Sequence, residues 1–297
     1  MPFLHVLLAI LIIVIWGVNF VVIQIGLQEV PPILLTFLRF FFACFPAIFF
    51  VKRPNISWKL LVLYGLFMFA FDFALLFCAM HVGISAGIAS VTLQTQAFFT
   101  VLLSIYFLKE RISIWQIVGG IIAFSGIGLV GVHTGGDVNL FGLLLVELAA
   151  LSWAAGNLVS KKIGHVAMFP LVIWGSFVAW PPLLLLSFLF EGNLWNAHTL
   201  ISLSWQTIGV LAYLVYPVTL FGFAAWSWLL SHHPSSSVAP FTLLVPIFGF
   251  SSSALILGES VEMWKVGAAI LIILGLVVGL YGRILFGKIT IRIKQDF

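Results

Sequence analysis

Charge is what this sequence has least of. It holds 13 Lys and Arg and 9 Asp and Glu in 297 residues, 7% of the chain, against 63% hydrophobic residues. A water-soluble domain carries about 25% charged residues, and no soluble fold hides this much apolar length. Cysteine is scarce as well. Cys44 and Cys78 both fall inside apolar runs, and no CxxC or Cys/His cluster exists, which excludes a disulfide framework and a zinc site. The cations are scattered over short connections, with no basic stripe and interleaved aromatics, so the net charge of +4 does not point to nucleic acid. A phosphate-cradling Walker sequence and a dinucleotide fingerprint are both missing, so neither cofactor nor metal is expected. The long apolar runs are continuous rather than alternating, which excludes a β-barrel.

What is there is a series of those runs. A helix needs about 20 mostly apolar residues to cross a bilayer. Breaks at charges, prolines and glycines delimit ten: 3–27, 32–51, 59–80, 84–107, 114–132, 139–161, 168–190, 207–230, 236–257 and 263–284. The first, Phe3 to Leu27, is too long for a signal-peptide core and has no obvious cleavage site after it, so it reads as a span. The connections are short, which makes neighbouring helices antiparallel. The longest, 191–206, contains Glu191, Asn193, Trp195 and Asn196. The expectation is an all-α integral membrane protein with the lipid bilayer as its surroundings. With the N-terminus inside, the inner loops and tail collect Lys52, Arg53, Lys59, Lys109, Arg111, Lys161, Lys162, Arg283, Lys288, Arg292 and Lys294. The outer loops hold only Lys265, and Arg39 lies within a span. Cytoplasmic loops favour Lys and Arg, so the count of ten and the orientation support each other, with both termini cytoplasmic.

The two halves repeat. Leu108-Lys109-Glu110-Arg111 precedes Trp115 and Gly126; 149 residues on, Leu257-Gly258-Glu259-Ser260 precedes Trp264 and Gly275. Trp16-Gly17-Val18-Asn19 in span 1 has a counterpart in Trp153-Ala154-Ala155-Gly156-Asn157 of span 6. Halves 1–133 and 134–297 thus hold five spans each, and an odd number inserts the second copy upside down. Inverted repeats are a ground plan of secondary transporters, with the substrate site between halves near the midplane.

Several of these residues carry a family resemblance over nearly the full length. They are Trp16-Gly17-x-Asn19-Phe20, Leu38-Arg39-Phe40, Lys109-Glu110-Arg111, Ser152-Trp153, Gly156-Asn157, Pro240, Pro246 and Gly258-Glu259. The chain resembles the EamA branch of the drug/metabolite transporter superfamily. Ala86-Gly87-Ile88-Ala89-Ser90 through Gln94-Thr95-Gln96-Ala97-Phe98-Phe99-Thr100 is most similar to bacterial O-acetylserine/cysteine exporters. The resemblance implies a monomer-sized unit of two five-helix bundles, export of small metabolites and residence in the bacterial inner membrane. Asp72 and Glu147 depart from it, standing where that family pattern carries neutral residues.

A charge at the bilayer centre is costly unless paired or wet, so it is a functional candidate by default. Helix rise puts Asn19, Arg39, Asp72, Gln94 and Glu147 about 10–15 Å below the outer surface, with Trp180, Tyr213 and Tyr216 in roughly the same layer. These eight are the candidate substrate contacts. A substrate carboxylate could pair with the two-pronged Arg39 guanidinium, and an ammonium with Glu147 or Asp72. The alternative is an internal ion pair of Arg39 with Asp72 or Glu147 that only pins helices together. Asp72 and Glu147 are also candidates for proton coupling. Pro46, Pro217 and Pro246 within spans, and Pro240 near the start of span 9, each free a backbone carbonyl that a neighbour must satisfy. Gly275-x-x-x-Gly279 has the spacing for close helix packing; internal packing is the first reading and dimerisation the alternative.

Two motifs imitate other chemistry. Gly83-Ile84-Ser85-Ala86-Gly87 spells the GxSxG of hydrolases, but here it joins two membrane helices. His232-His233 lacks a third metal ligand, and Asn55-Ile56-Ser57 is a sequon on the inner side. The sequence therefore reads as a non-enzymatic secondary transporter exporting small polar metabolites such as cysteine or O-acetylserine by alternating access. Its rivals are a multidrug or quaternary-ammonium exporter, with Glu147 and Trp180 as an acid-and-aromatic cage, and a non-transporting membrane scaffold.

Overall fold

The computed structural model describes residues 1–133, 138–164, 166–192 and 204–286. Asn193, Trp195, Asn196, Lys288, Arg292 and Lys294, and the side chain of Arg283, lie outside the described residues. Among the described residues ten helices are long and apolar enough to cross a membrane: α1 (Phe3–Gly26), α2 (Pro32–Phe49), α3 (Trp58–His81), α4 (Ala86–Leu108), α5 (Ile114–Val132), α6 (Leu140–Ile163), α7 (Met168–Glu191), α8 (Trp205–His232), α9 (Ala239–Leu257) and α10 (Met263–Gly282). In lipid a backbone amide has only its own segment to bond to, so continuous apolar runs become helices. Short polar caps start them: Ser57, Ser113 with Gln116, Asn139 and Ser204 each accept an N–H of the first turn. The alternation of short turns leaves the starts of odd helices and ends of even ones on one face, called here the N-terminal face. The opposite side is the far face.

The helix contacts obey a pseudo-two-fold exchange of the halves. α2 packs on α7, α4 on α9 and α5 on α10, so each of these pairs maps onto itself. The contact of α1 with α9 maps onto that of α6 with α4, and α1 with α8 onto α6 with α3. Local irregularities repeat as well. Leu66–Phe71 in α3 and Leu214–Phe221 in α8 are both π-helical. Tight 3₁₀ turns interrupt α4 at Leu93–Thr95 and precede Val245 in α9. Lys109 (φ 54°) and Gly258 (φ 68°) end α4 and α9 in the same left-handed conformation. These are two inverted five-helix repeats.

The motif residues of α1 and α6 have a physical task in this plan. A π turn loosens the backbone ladder and exposes carbonyls. The Trp16 indole donates to the carbonyl of Val218 at 3.2 Å, and the Ser152 hydroxyl to that of Phe67 at 2.8 Å. Each half's first helix thus satisfies the irregular third helix of the other. Glycines set the tightest approaches. A Cβ on Gly119 would lie 2.4 Å from the Gly275 carbonyl oxygen and 2.7 Å from the Gly279 Cα, so the GxxxG of α10 serves packing on α5 within the chain. The GxSxG segment is the turn between α3 and α4, with Gly83 at φ 113°.

Candidate functional site

The irregular turns of α3 and α8 meet α2 around one fully buried guanidinium. Arg39 donates from Nε to the Thr219 hydroxyl at 3.1 Å. Its guanidinium carbon lies 4.0 Å from the centroid of the Phe73 ring and 5.3 Å from that of Phe40. Thr219 belongs to the π turn of α8, and its hydroxyl reaches back five residues to the Leu214 carbonyl at 2.7 Å. The deformation of α8 therefore aims that oxygen at α2. Asp72, directly after the π turn of α3, is also fully buried and within electrostatic reach of Arg39. No direct ion pair joins the two among the described residues. Arg39 Nη1 and Nη2 and both Asp72 carboxylate oxygens are buried without a hydrogen-bond partner among the described residues. One cation and one anion with open valences thus lie within electrostatic reach of each other, at the seam between α2 and α3 of the first half and α8 of the second. Uncompensated burial of such groups costs several kcal/mol each, so this arrangement suits a guest carrying both charges.

A second polar site lies where α4 meets α6. Glu147, half-buried, accepts a hydrogen bond from Thr95 at 3.0 Å in the 3₁₀ turn, and its other oxygen has no partner. Farther along, the Asn157 amide donates to Gln96 (3.0 Å) and Thr100 (3.1 Å). Gln94 is half-buried in the same turn. Asn19 is buried in α1, its Oδ1 unpartnered, two residues from the closest crossing of α1, where a Cβ on Gly17 would meet Phe248 of α9 at 2.5 Å.

The remaining aromatics stand elsewhere. Trp180 packs on Phe37, Phe41 and Phe45 of α2 with centroids 5.8–6.3 Å apart. At about 3.6 residues per turn, Phe37 and Phe41 lie on the side of α2 opposite Arg39, so Trp180 does not join the charged pair. The Tyr213 hydroxyl donates to the Ile15 carbonyl at 2.9 Å and serves as a tie between α8 and α1. Tyr216 is 61% exposed on the outside of the bundle; the π turn changes the angular step between it and Tyr213, which an ideal helix would keep on one face. Thr95, Thr219 and Ser152 were not singled out as site residues from sequence. Their signal was a hydroxyl at the depth of a buried charge or a loosened turn.

The ends of the helices are tied unequally. On the far face three carboxylates reach across between halves. Glu191 of α7 accepts from the Ile33 and Leu34 amides at the start of α2, both at 2.8 Å. Glu259, after α9, accepts from the Ala86 (2.8 Å) and Gly87 (3.1 Å) amides at the start of α4. Glu29, after α1, accepts from the Ser204 and Thr207 hydroxyls at the start of α8, which hold its carboxyl below the usual range. On the N-terminal face His5 meets His233 at 2.6 Å, the Trp174 indole donates to the Val51 carbonyl at 3.0 Å, and Lys161 pairs with Glu110. There α3, α4 and α6 diverge around a groove of about 710 Å³, running from Lys59 and Lys162 to Leu75 and Leu148. None of the eight residues expected to bind substrate lines it. The eight candidates do not share one hollow. Their charges divide into the buried Arg39 and Asp72 at the α2–α3–α8 seam and the half-buried Glu147 at the α4–α6 seam.

The profile of the EamA-like transporter family matches residues 3–132 and again 140–281. The chain belongs to this family. Two relatives each carry the name probable amino-acid metabolite efflux pump. The one from Salmonella typhimurium is 41% identical over 93% of this chain and 94% of its own, and the one from Escherichia coli K12 is 40% identical over the same shares. An uncharacterized transporter of Archaeoglobus fulgidus is 27% identical over 88% of this chain and 93% of its own. A solved crystal structure superposes with a TM-score of 0.64 at 18% identity, covering 93% of this chain and 95% of that one, which speaks for the fold alone. As an EamA-like transporter with ten apolar helices among the described residues, the protein is a multi-pass membrane protein.

Proposed function

We propose that this EamA-like transporter exports small zwitterionic metabolites, amino acids or derivatives such as cysteine or O-acetylserine, across the bacterial inner membrane by alternating access. The observation that carries the reading is the open-valenced pair at the seam. Arg39 offers two parallel N–H groups to a carboxylate, and Asp72 offers an anion to an ammonium. The names of the relatives at 40% and 41% identity agree with that substrate class. A purely cationic drug would gain nothing from Arg39, which disfavours the multidrug alternative, and a scaffold has no use for unpaired buried charges. The N-terminal face is taken as cytoplasmic, because it carries nearly all the Lys and Arg. Halves 1–133 and 134–297 then rock about the seam as a monomer. The three far-face carboxylates close the outer side while the inner ends of α3, α4 and α6 stand apart. Asp72 and Glu147 are the proton-coupling candidates. Their carboxylates lie where a proton could replace a missing hydrogen-bond partner.

The test is counterflow in proteoliposomes loaded with a panel of labelled amino acids and amines. Zwitterions should exchange, and primary amines lacking a carboxylate should not. Exchange of amines alone overturns the reading. Export by Glu147→Gln and Asp72→Asn should lose its pH dependence in at least one variant. An unchanged profile in both removes proton coupling.

A further inference from the structure

The groove between α3, α4 and α6 is unsuited to a polar metabolite. Leu60, Leu63, Phe67, Phe71, Leu103 and Leu151 are among its lining side chains, and several apolar residues along it are turned outward: Phe107 is 59% exposed and Leu148 49%. These outward-turned apolar residues lie within membrane spans, so along its side the groove opens toward lipid, while its lysine end reaches the N-terminal face. From Lys59 to Leu75 the groove follows α3 for about 24 Å at about 1.5 Å per residue, more than half of a hydrocarbon core of about 30 Å. At its N-terminal-face end stand two lysines from different helices, Lys59 at the start of α3 and Lys162 at the end of α6. Neither has an ion-pair partner among the described residues, whereas the neighbouring Lys161 is taken by Glu110. An apolar slot of chain length with two unpaired cations at interface depth complements one kind of molecule.

We infer that the α3–α4–α6 groove binds an anionic phospholipid, with an acyl chain along Leu63, Phe67 and Leu151 and the phosphate between Lys59 and Lys162. Basic pockets between membrane helices bind lipid headgroups in this way. The occupant comes from the bilayer leaflet at the N-terminal face, since the two lysines lie there. A chain seated between α3 and the α4–α6 pair holds their ends apart. The lipid is thereby a wedge for the conformation in which this face is open.

The experiment uses the full-length protein in detergent, with phosphatidylglycerol or phosphatidylcholine of the same chains added, and counts retained lipids by native mass spectrometry. One retained phosphatidylglycerol is expected, with phosphatidylcholine held much more weakly. The exposed double variant Lys59→Gln/Lys162→Gln should lower phosphatidylglycerol retention by roughly thirtyfold, each lysine contributing about fivefold. Phosphatidylglycerol with a photoreactive chain should cross-link to peptides of α3 and α6. Equal retention of the two lipids overturns the proposal. So does undiminished phosphatidylglycerol retention by the double variant, or cross-linking confined to α5 and α10. If the groove were the substrate's own path, the double variant would lose export equally in phosphatidylcholine and phosphatidylglycerol vesicles. The lipid site requires a loss only in the latter.

Discussion

Glu191→Gln isolates one of the far-face ties. Pro31 and Pro32 open α2, and neither has an N–H, so Ile33 and Leu34 are the first amides that need an acceptor beyond the helix. Glu191 supplies both bonds at 2.8 Å from 8% exposure, and Ser187 steadies the same carboxylate at 2.7 Å. Hydrogen bonds to a charged group contribute about 1.5–3 kcal/mol each. The amide keeps one acceptor and turns an NH₂ toward an N–H, so the variant should lose about 2–4 kcal/mol of the contact. If that contact exists only while the far face is closed, the equilibrium shifts roughly 30- to 1,000-fold toward opening, at about 1.36 kcal/mol per tenfold. The reporter is Thr36→Cys, one turn farther into α2 and fully buried, in a chain whose Cys44 and Cys78 are replaced by Ala. Labelling by an impermeant maleimide applied to the far face should accelerate at least tenfold in the Glu191→Gln background. A rate within twofold of the parent, in protein that folds and inserts normally, refutes the idea that this carboxylate holds the face shut.

Two further outcomes follow from the buried charges and the exposed tie. Arg39→Leu leaves Asp72 buried without a counter-charge and should destabilise the protein by about 3–5 kcal/mol; Arg39→Leu/Asp72→Leu should recover most of the thermal stability and none of the export. Recovery of export would remove the pair from the substrate path. Glu29 is held below its ordinary range by its bonds to Ser204 and Thr207, so the deprotonated form favours the tie. The tie is complete above the ordinary carboxylate range and lost as pH falls through the lowered value. Far-face labelling of a cysteine in the outer turn of α8, divided at each pH by the rate of a free thiol because the thiolate is the reactive form, should be flat across neutral pH and rise only in acid, and Glu29→Gln should make this ratio high and flat throughout.

Span number and halves were legible in the sequence because apolar length is a local property and the lipid forces it into helix. The predicted 59–80 and 139–161 differ from α3 and α6 by a residue or two at each end. What the sequence hid was angular. An α-helical wheel places Tyr213 and Tyr216 on one face, and the π turn at Leu214–Phe221 turns Tyr216 out to lipid. Depth alone put Trp180 beside Arg39, although the two address opposite sides of α2. Arg39 and Asp72 were found because a charge in an apolar run is visible anywhere. Thr219 was missed because a threonine in a membrane helix usually bonds its own backbone, and only the fold shows which charge it also serves. Pro181 and Pro182 lie inside α7 without ending it, in keeping with the unbroken run 168–190 expected from the sequence.

The two faces differ in a way the repeat itself makes testable. Ser204 caps α8 and bonds Glu29; its counterpart Ser57 caps α3 in the same manner and bonds no acid among the described residues. The exchange of halves that carries Gly26 onto Ile163 carries Glu29 onto Val166, and that of the α8 start carries Thr207 onto Leu60. The second half therefore holds an apolar residue where the first holds the latch. Val166→Glu/Leu60→Thr would install the missing pair at the end of α6 and start of α3. Lys59 beside it adds an attractive charge worth a few tenths of a kcal/mol at such an exposed place. Closure of the N-terminal ends of α3 and α6 should then be favoured. Labelling at a cysteine replacing Ala155, which lines the groove, should slow several-fold from the N-terminal face, while far-face labelling of Thr36→Cys rises. An unchanged ratio of the two rates means that the cross-half acids cap helices without setting which face is open.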